Sequence, residues 1–301
     1  MATFAENVKK FLPILDQLYV QESLTAIFER AGAIWSGTKE IKIPSIAVDG
    51  NADYSAADGY KSGAIAVSYQ TKTLTNDRGR KFNIDAVEND EVPMDLVVEA
   101  MSTFEKEKNV PETDAIRFAT LASLAGTKVS ADLTDSAGAL AAYDAAEKVF
   151  RKNGLSMSNC VMFCSADYYA LLKNAVAARL IVNQNSGDLN RNVDMLDGKL
   201  PLITVADDRF YDQIKLLTGG TDEEAGGFEP IATTSHAINF MIVDKDVPQA
   251  VTKRKVTKVI NPEANQSHDG YSIFYRTFHD VYINTNQAKR LYVHKKATAV
   301  S

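Results

Sequence analysis

Apolar positions recur at three- and four-residue spacing through residues 92–126, and this period predicts helix. Pro93 suits a first helical turn, and Gly126 suits the end. Pro111 lacks a backbone donor and should kink or break the helix. Two interpretations stay open: one rod of about 32 residues, roughly 48 Å long, or two helices joined at Pro111. The stripe comprises Met94, Val97, Val98, Met101, Phe104, Ala115, Phe118, Ala119 and Ala122.

Residues 39–88 change to a period of two, which predicts strands. Residues 76–80 combine Asn, Asp and Gly, so they predict a tight turn between the second and third runs. Residues 49–63 form a long polar, glycine-rich loop between the first and second. The pattern indicates an extended two- or three-stranded arm with a flexible tip. Such a ribbon is marginal alone and should lie on another surface.

Residues 1–30 form an amphipathic segment that Pro13 interrupts. Leu15, Leu18 and Tyr19 share one face, and Leu24, Ile27 and Phe28 share another. These apolar groups are too few to pack among themselves. They therefore need a surface of the same chain or of a neighbour.

Residues 134–250 alternate helical and strand patterns, as expected for an α/β unit. Further strands follow, and they should return to the base of the long helix. The predicted helices are 136–153 and 165–172, with 176–182 as a possible continuation of the second. The predicted strands are 159–164, 199–205, 214–217, 236–243, 247–251, 271–278 and 290–294, with a turn or short helix at 280–283.

The charge balance argues against a protein whose main task is to grip nucleic acid. The 301 residues carry 33 basic and 39 acidic side chains, a net charge of −6. The one dense basic run, 253–255 with Lys258, alternates with valine and indicates a solvated strand edge. No stretch has the 18 apolar residues of a membrane span, and no signal peptide is recognisable.

Two cysteines, Cys160 and Cys164, lie four residues apart in an apolar run. On a strand their Cα atoms would be about 13 Å apart, too far for a disulfide. Further ligands at zinc spacing are absent from the sequence. Buried, reduced thiols are therefore expected, in agreement with a reducing cytoplasm.

Searches for catalytic and ligand-binding patterns find nothing above background. The loop from Asp49 begins with calcium-loop spacing, but Tyr54 and Tyr60 stand where glycine and bidentate glutamate are needed. The glycine pairs at 219–220 and 226–227 flank acidic residues that would repel phosphate. The four histidines are scattered. The sequence therefore predicts no catalytic, cofactor-binding or metal-binding residue, and no enzyme.

The order of parts resembles the major capsid proteins of tailed bacteriophages, with the Hong Kong 97-type fold. The similarity is greatest to siphophages of Gram-positive hosts. Residues 77–85, 110–118 and 288–293 carry it, and their order over nearly the whole chain adds weight.

The resemblance implies an α+β fold with a long spine helix. Residues 1–36 would be the N-terminal arm, 37–88 the extended β-hairpin loop, 89–133 with 252–301 the peripheral domain, and 134–251 the axial domain. It also implies pentamers and hexamers that close an icosahedral shell around double-stranded DNA, touching it loosely and without sequence preference. Assembly in the host cytoplasm, a portal and no cofactor are expected too.

The sequence begins directly with the arm, so either a separate scaffolding protein is used or a leader has already been removed, and Met1 favours the scaffolding protein. Candidate inter-subunit contacts are Asp77, Arg78, Arg80, Trp35 and Lys61. Three alternatives stay open: an encapsulin-like compartment shell, a soluble α/β enzyme acting at residues 183–198, and a tail or adhesin component.

Overall fold

A computed structural model describes residues 23–30, 34–35, 39–57, 59–85, 101–177, 193–260 and 262–300. Four predictions lie wholly or partly outside these ranges: residues 1–22 of the N-terminal arm, the start of the long helix, residues 178–182 of the helix continuation and most of the loop at 183–198. The strands are β1 (Ile34–Trp35), β2 (Glu40–Val48), β3 (Ile65–Thr73), β4 (Asn76–Asp85), β5 (Thr127–Ser130), β6 (Cys160–Ser165), β7 (Met195–Leu196), β8 (Leu200–Val205), β9 (Ile214–Leu217), β10 (Gly227–Pro230), β11 (Ile238–Asp244), β12 (Gln249–Ile260), β13 (Gly270–Tyr282) and β14 (Leu291–Lys295). The α-helices are α1 (Val110–Leu124), α2 (Ser136–Lys152) and α3 (Ala166–Ala177).

A six-stranded sheet forms the centre of the fold, in the order β5-β14-β11-β6-β8-β7. Its middle strands β6 and β11 are buried at every position, since helices cover both faces. Phe163 and Met241 pack with Phe118 of α1 on one face. Met162 packs with residues of α2 and α3 on the other. Alternation along each strand thus builds two cores from one sheet.

Residues 134–250 contain alternating helices and strands, as the sequence predicts. The helix at 136–153 and the strands at 159–164, 199–205, 214–217 and 290–294 are placed within about two residues of the predictions. The sheet also includes β5 and β14, which lie outside residues 134–251. The division into peripheral and axial domains stays a prediction.

The long helix passes through Pro111 without interruption. Residues 101–104 are helical, Glu105–Asn109 form a π-helical turn, and α1 follows directly. The wider turn ends where Val110 N donates to Glu105 O, so Pro111 falls in the first turn of α1, where it needs no donor. The described part is thus one rod of about 36 Å.

The tight turn predicted at residues 76–80 is wrong. These residues belong to β4, which pairs antiparallel with β13 rather than with β3. Glycine is needed at position 79 for a different reason, because a Cβ there would lie 2.6 Å from Tyr275 O of the paired strand. Glycine therefore permits a close backbone approach here. The arm consists of β2 and β3, with short β1 alongside, and β4 belongs to the sheet β12-β13-β4.

Two further expectations are corrected. The turn or short helix at 280–283 is wrong, because β13 continues through Tyr282. On this strand, the carboxylate of Asp280 accepts hydrogen bonds from Thr75 N and Thr75 Oγ1 and so fixes the short connection between β3 and β4. In the N-terminal segment, Phe28 is fully buried in the central core, whereas Ile27 is exposed and does not share its face.

Candidate assembly surfaces

The hairpin of β2 and β3 carries most of the exposed large apolar side chains that the structure describes. Seven of the ten lie on it or its tip. Residues paired across antiparallel strands point to the same face. The register pairs Pro44 with Tyr69, Ile46 with Val67 and Val48 with Ile65, so these six residues form one continuous patch, here called the apolar ladder. The exposed fractions are Ile46 63%, Val48 67%, Ile65 72%, Val67 56% and Tyr69 58%.

The base of the hairpin is attached to the body of the protein. Ile41 and Ile43 point away from the apolar ladder and are buried against residues that include Val251 and Phe278. Gln70 Nε2 donates to Asn284 Oδ1 over 3.1 Å. Beyond this base the side chains of both strands are exposed on both faces. The hairpin is therefore anchored at one end and projects with an uncovered apolar surface, which is typical of an interaction site.

The tip of the hairpin is ordered by short-range contacts. Asp49 Oδ2 accepts from Ala64 N over 2.7 Å. The rings of Tyr54 and Tyr60 lie 5.0 Å apart, and both side chains are exposed. Lys61, a predicted contact residue, is exposed beside them. The tip thus presents aromatic, acidic and basic groups together at the far end of the hairpin.

Two of the predicted contact residues, Asp77 and Arg78, have partners within the chain. Asp77 pairs with Arg276 over 2.5 Å, and this hydrogen bond lowers the pKa of Asp77. Arg78 makes a two-pronged ion pair with Glu112 of α1. The Arg78 guanidinium also donates to Leu217 O and to the carbonyl of residue 227. Arg78 therefore ties three elements of one subunit together.

The predicted contact residue Arg80 also serves the connection between β9 and β10. Its Nη2 donates to Glu224 O over 2.7 Å. Gly219 and Gly226 both have positive φ, and the guanidinium lies close to each. Positive φ explains these glycines, which border an acidic loop, as the sequence indicates. The inter-subunit roles of Asp77, Arg78 and Arg80 stay predictions.

Trp35 lies in β1, whose backbone pairs with β2 at Ile41. Its side chain lies outside the described part of the structure. The predicted contact residues are therefore not brought together in one place: Lys61 lies at the hairpin tip, Trp35 beside the hairpin base, and the other three on β4.

Sequence analysis missed a buried ionic cluster on α1. Asp114 and Arg117 have no exposed surface and lie one turn apart. They hold residues 23–29, which precede β1. The signal was present, since an acid and a base sit three residues apart among the apolar positions of the long helix. Periodicity alone assigns such residues to solvent, so it could not reveal them.

Two further buried groups have displaced pKa values. Burial raises the pKa of Glu105, whose carboxylate accepts from Asn109 and pairs with Lys255 over 3.3 Å. Burial and the nearby charges of Arg117 and Arg78 lower the pKa of His279 to about 3. Burial likewise raises the pKa of the thiols of both cysteines to about 12, and both are free, as expected.

Two open clefts lie on opposite faces of β4. One, of about 610 Å³, lies over β12, β13 and β4, with Arg254 and Lys258 on its wall. The other, of about 620 Å³, lies between β4, the π-helical turn and the β9–β10 connection. Neither is lined by a histidine or a cysteine. The basic run lies on β12, which is an edge strand, as the sequence predicts. Lys255 of this run pairs with Glu105.

Across the described ranges, histidine, cysteine and carboxylate side chains do not gather in groups of three or more that could hold a metal ion. Within the same residues, every helix is too short or too polar to span a lipid bilayer.

No protein-family model matches this sequence, and no curated protein matches it either. Solved structures with similar folds do exist. The structure titled "Capsid structure of the Cyanophage P-SCSP1u" shares 12% identity, with a TM-score of 0.63 over 92% of this chain and 89% of that chain. The mature capsid of bacteriophage PhiM1 shares 13% identity, with a TM-score of 0.63 over 91% and 87%.

A virus-like particle from Pyrococcus furiosus shares 12% identity, with a TM-score of 0.55 over 95% of this chain and 98% of that chain. Identity this low carries information on fold alone. The extent of the matches shows that the likeness concerns the whole chain rather than one sheet. The chain therefore has the mixed α+β fold of the Hong Kong 97-type capsid structures.

Proposed function

We propose that this chain is the major capsid protein of a tailed bacteriophage, assembling as pentamers and hexamers into an icosahedral shell around double-stranded DNA. The apolar ladder is the observation that carries the proposal. In a single subunit it leaves five large apolar side chains more than half exposed along a projecting hairpin. Burial of such a surface requires another molecule.

Identical copies are the natural partner. The hairpin face of one subunit lies against a different surface of the next, which makes the contact heterologous, and such contacts close into rings by rotation. The fold supports this, since similar folds occur in the capsids of a cyanophage and of bacteriophage PhiM1. The role is structural, and the protein resides in the virion after assembly in the host cytoplasm.

The remaining partners follow from the same proposal. A separate scaffolding protein and a portal assist assembly, and packaged DNA touches the shell loosely. The net charge of −6 favours such loose contact, because an acidic chain is not attracted to phosphate.

A shell that encloses something other than a genome is the second candidate. The fold match to a virus-like particle, which spans 98% of that chain, motivates it. Electron microscopy of the expressed protein tests both, and each predicts closed particles. Nuclease-protected double-stranded DNA in particles purified from infected cells supports the capsid, whereas particles filled with protein support the compartment. Tubes or isolated small oligomers would contradict both.

A further inference from the structure

The ionic cluster on α1 joins the long helix to the segment that precedes β1. Asp114 Oδ1 accepts from Ser23 Oγ over 2.8 Å and from Thr25 N over 3.2 Å. Asp114 Oδ2 accepts from Leu24 N over 3.1 Å. A single carboxylate thus binds three consecutive residues, much as a capping side chain binds the free donors of a helix start.

Arg117 completes the contact from the next turn of the helix. Its guanidinium donates to Thr25 O over 3.3 Å and to Glu29 Oε1 over 2.9 Å. Thr25 Oγ1 lies between the two charges, donating to Asp114 over 2.5 Å and accepting from Arg117 over 3.2 Å. Residues 23–29 are therefore held by two charged side chains that lie one turn apart on α1.

The cluster contains charges of both signs. Asp114 and Glu29 are acidic, and Arg117 and Arg209 are basic, with Arg209 Nη1 lying 3.8 Å from Asp114 Oδ2 while its Nε pairs with Asp208. His279 beside them is neutral, since its pKa is lowered to about 3.

Burying so many charges is costly, and apolar side chains of similar size would often stabilise a fold equally well. The ionic cluster differs from an apolar contact because its hydrogen bonds are directional. They can all form only when residues 23–29 occupy one position along α1. Stability alone therefore does not account for it, whereas a need to place this segment accurately does.

We propose that Asp114 and Arg117 are positioning residues that clamp residues 23–29 and so fix where the N-terminal arm leaves the body of each subunit. Uniform particles depend on this clamp, because arms that depart at different places reach different positions on neighbouring copies. The second statement rests on the proposed shell function, while the clamp itself does not.

Thr25→Val tests the clamp, because it removes the bridging hydroxyl without changing shape or charge. Thr120→Val is the matched control, because its hydroxyl donates to Ile116 O on the same helix rather than to residues 23–29. Trypsin cleavage after the exposed Arg30, followed by mass spectrometry on unassembled protein, reports opening of the segment. We expect cleavage to rise about tenfold or more in Thr25→Val, since hydrogen bonds to charged groups are lost.

Particle diameters of the same variants, measured by electron microscopy, test the second statement. Thr25→Val should give a broad distribution and Thr120→Val a narrow one, with both variants folded at the temperature of assembly. Unchanged cleavage overturns the clamp, and faster cleavage with uniform particles overturns its role in assembly. Ser23→Ala, which removes one hydrogen bond, gives the same test if Thr25→Val does not fold. Absence of particles from the wild type defeats the shell function and the assembly role, while the cleavage still decides the clamp.

Discussion

Replacing the central pair of the apolar ladder by threonine should weaken assembly without weakening the subunit. Ile46 and Val67 lie opposite each other in the register and are 63% and 56% exposed. Ile46→Thr with Val67→Thr keeps the branched Cβ that strands favour and removes apolar surface. Because both side chains are exposed, the free energy of unfolding should change by about 0.5 kcal/mol or less for each substitution.

The effect on assembly follows from the area that remains to be buried. Complete burial of such a side chain contributes about 1.5–3 kcal/mol. Somewhat more than half of each side chain is exposed in the free subunit. Burying that exposed part in a subunit contact contributes on the order of 1 kcal/mol to the free energy of assembly, or about 2 kcal/mol for the pair. Each 1.4 kcal/mol is a factor of ten in an equilibrium constant, so the critical concentration for assembly should rise about 30-fold.

Light scattering against protein concentration measures this critical concentration. Ile231→Thr is the matched control, because Ile231 is an exposed isoleucine away from the hairpin. It should leave the critical concentration within about twofold of the wild type. A double variant that assembles at the wild-type concentration, or a control that shifts as far, would refute the role of the ladder.

Three further predictions concern the hairpin and the two buried groups. Deleting residues 50–63, the hairpin tip, should leave a folded subunit that forms no uniform closed shells, judged by circular dichroism and electron microscopy; an unchanged shell yield would count against it. The folded pKa of His279 is about 3, below its ordinary 6.5, so stability falls as pH drops from 6.5 towards 3. His279→Gln should therefore unfold at a lower pH in acid titrations; an equal midpoint would count against burial of the neutral ring. Burial raises the pKa of Glu105 in the folded protein. Its contribution to the free energy of unfolding is therefore fully present below pH 4.5 and is lost as pH rises through the folded pKa. As pH rises through that range, the melting temperature of Glu105→Gln should increase relative to that of the wild type. A difference in melting temperature that stays constant with pH would contradict the raised pKa of Glu105.

Patterns of apolar residues predicted four of the six strands of the central sheet, β6, β8, β11 and β14, but not the short strands β5 and β7. The run from Cys160 to Cys164 is a strand buried on both faces, and strands of that kind read as continuous apolar sequence. The helix 136–153 was equally clear, because one face of α2 is apolar and the other is solvated. Local periodicity sufficed wherever burial followed the secondary structure.

Prediction failed where distant parts of the chain determine the conformation. Gly79 occurs in a turn-like sequence, but the need for it comes from Tyr275, nearly 200 residues away. The passage of the helix through Pro111 depends on a π-helical turn that no pattern announces. Asp114 and Arg117 are buried because residues 23–29 lie over them, a contact between segments about 90 residues apart.

The apolar ladder itself was only half predicted. Alternation at Ile65, Val67 and Tyr69 indicated a strand with one apolar face, and the sequence indicated that this arm needs a partner surface. Which residues share that face depends on the register with β2, which places Pro44, Ile46 and Val48 opposite them. Register is a property of the folded pair and cannot be taken from one strand alone.

Sedimentation velocity of the purified wild-type chain over a concentration series tests the central claim most directly. If the hairpin is a surface that only another copy completes, the slow boundary should give way to fast, uniform particles as concentration rises. A single slow monomer boundary at every concentration, with the apolar ladder still uncovered, would contradict the account.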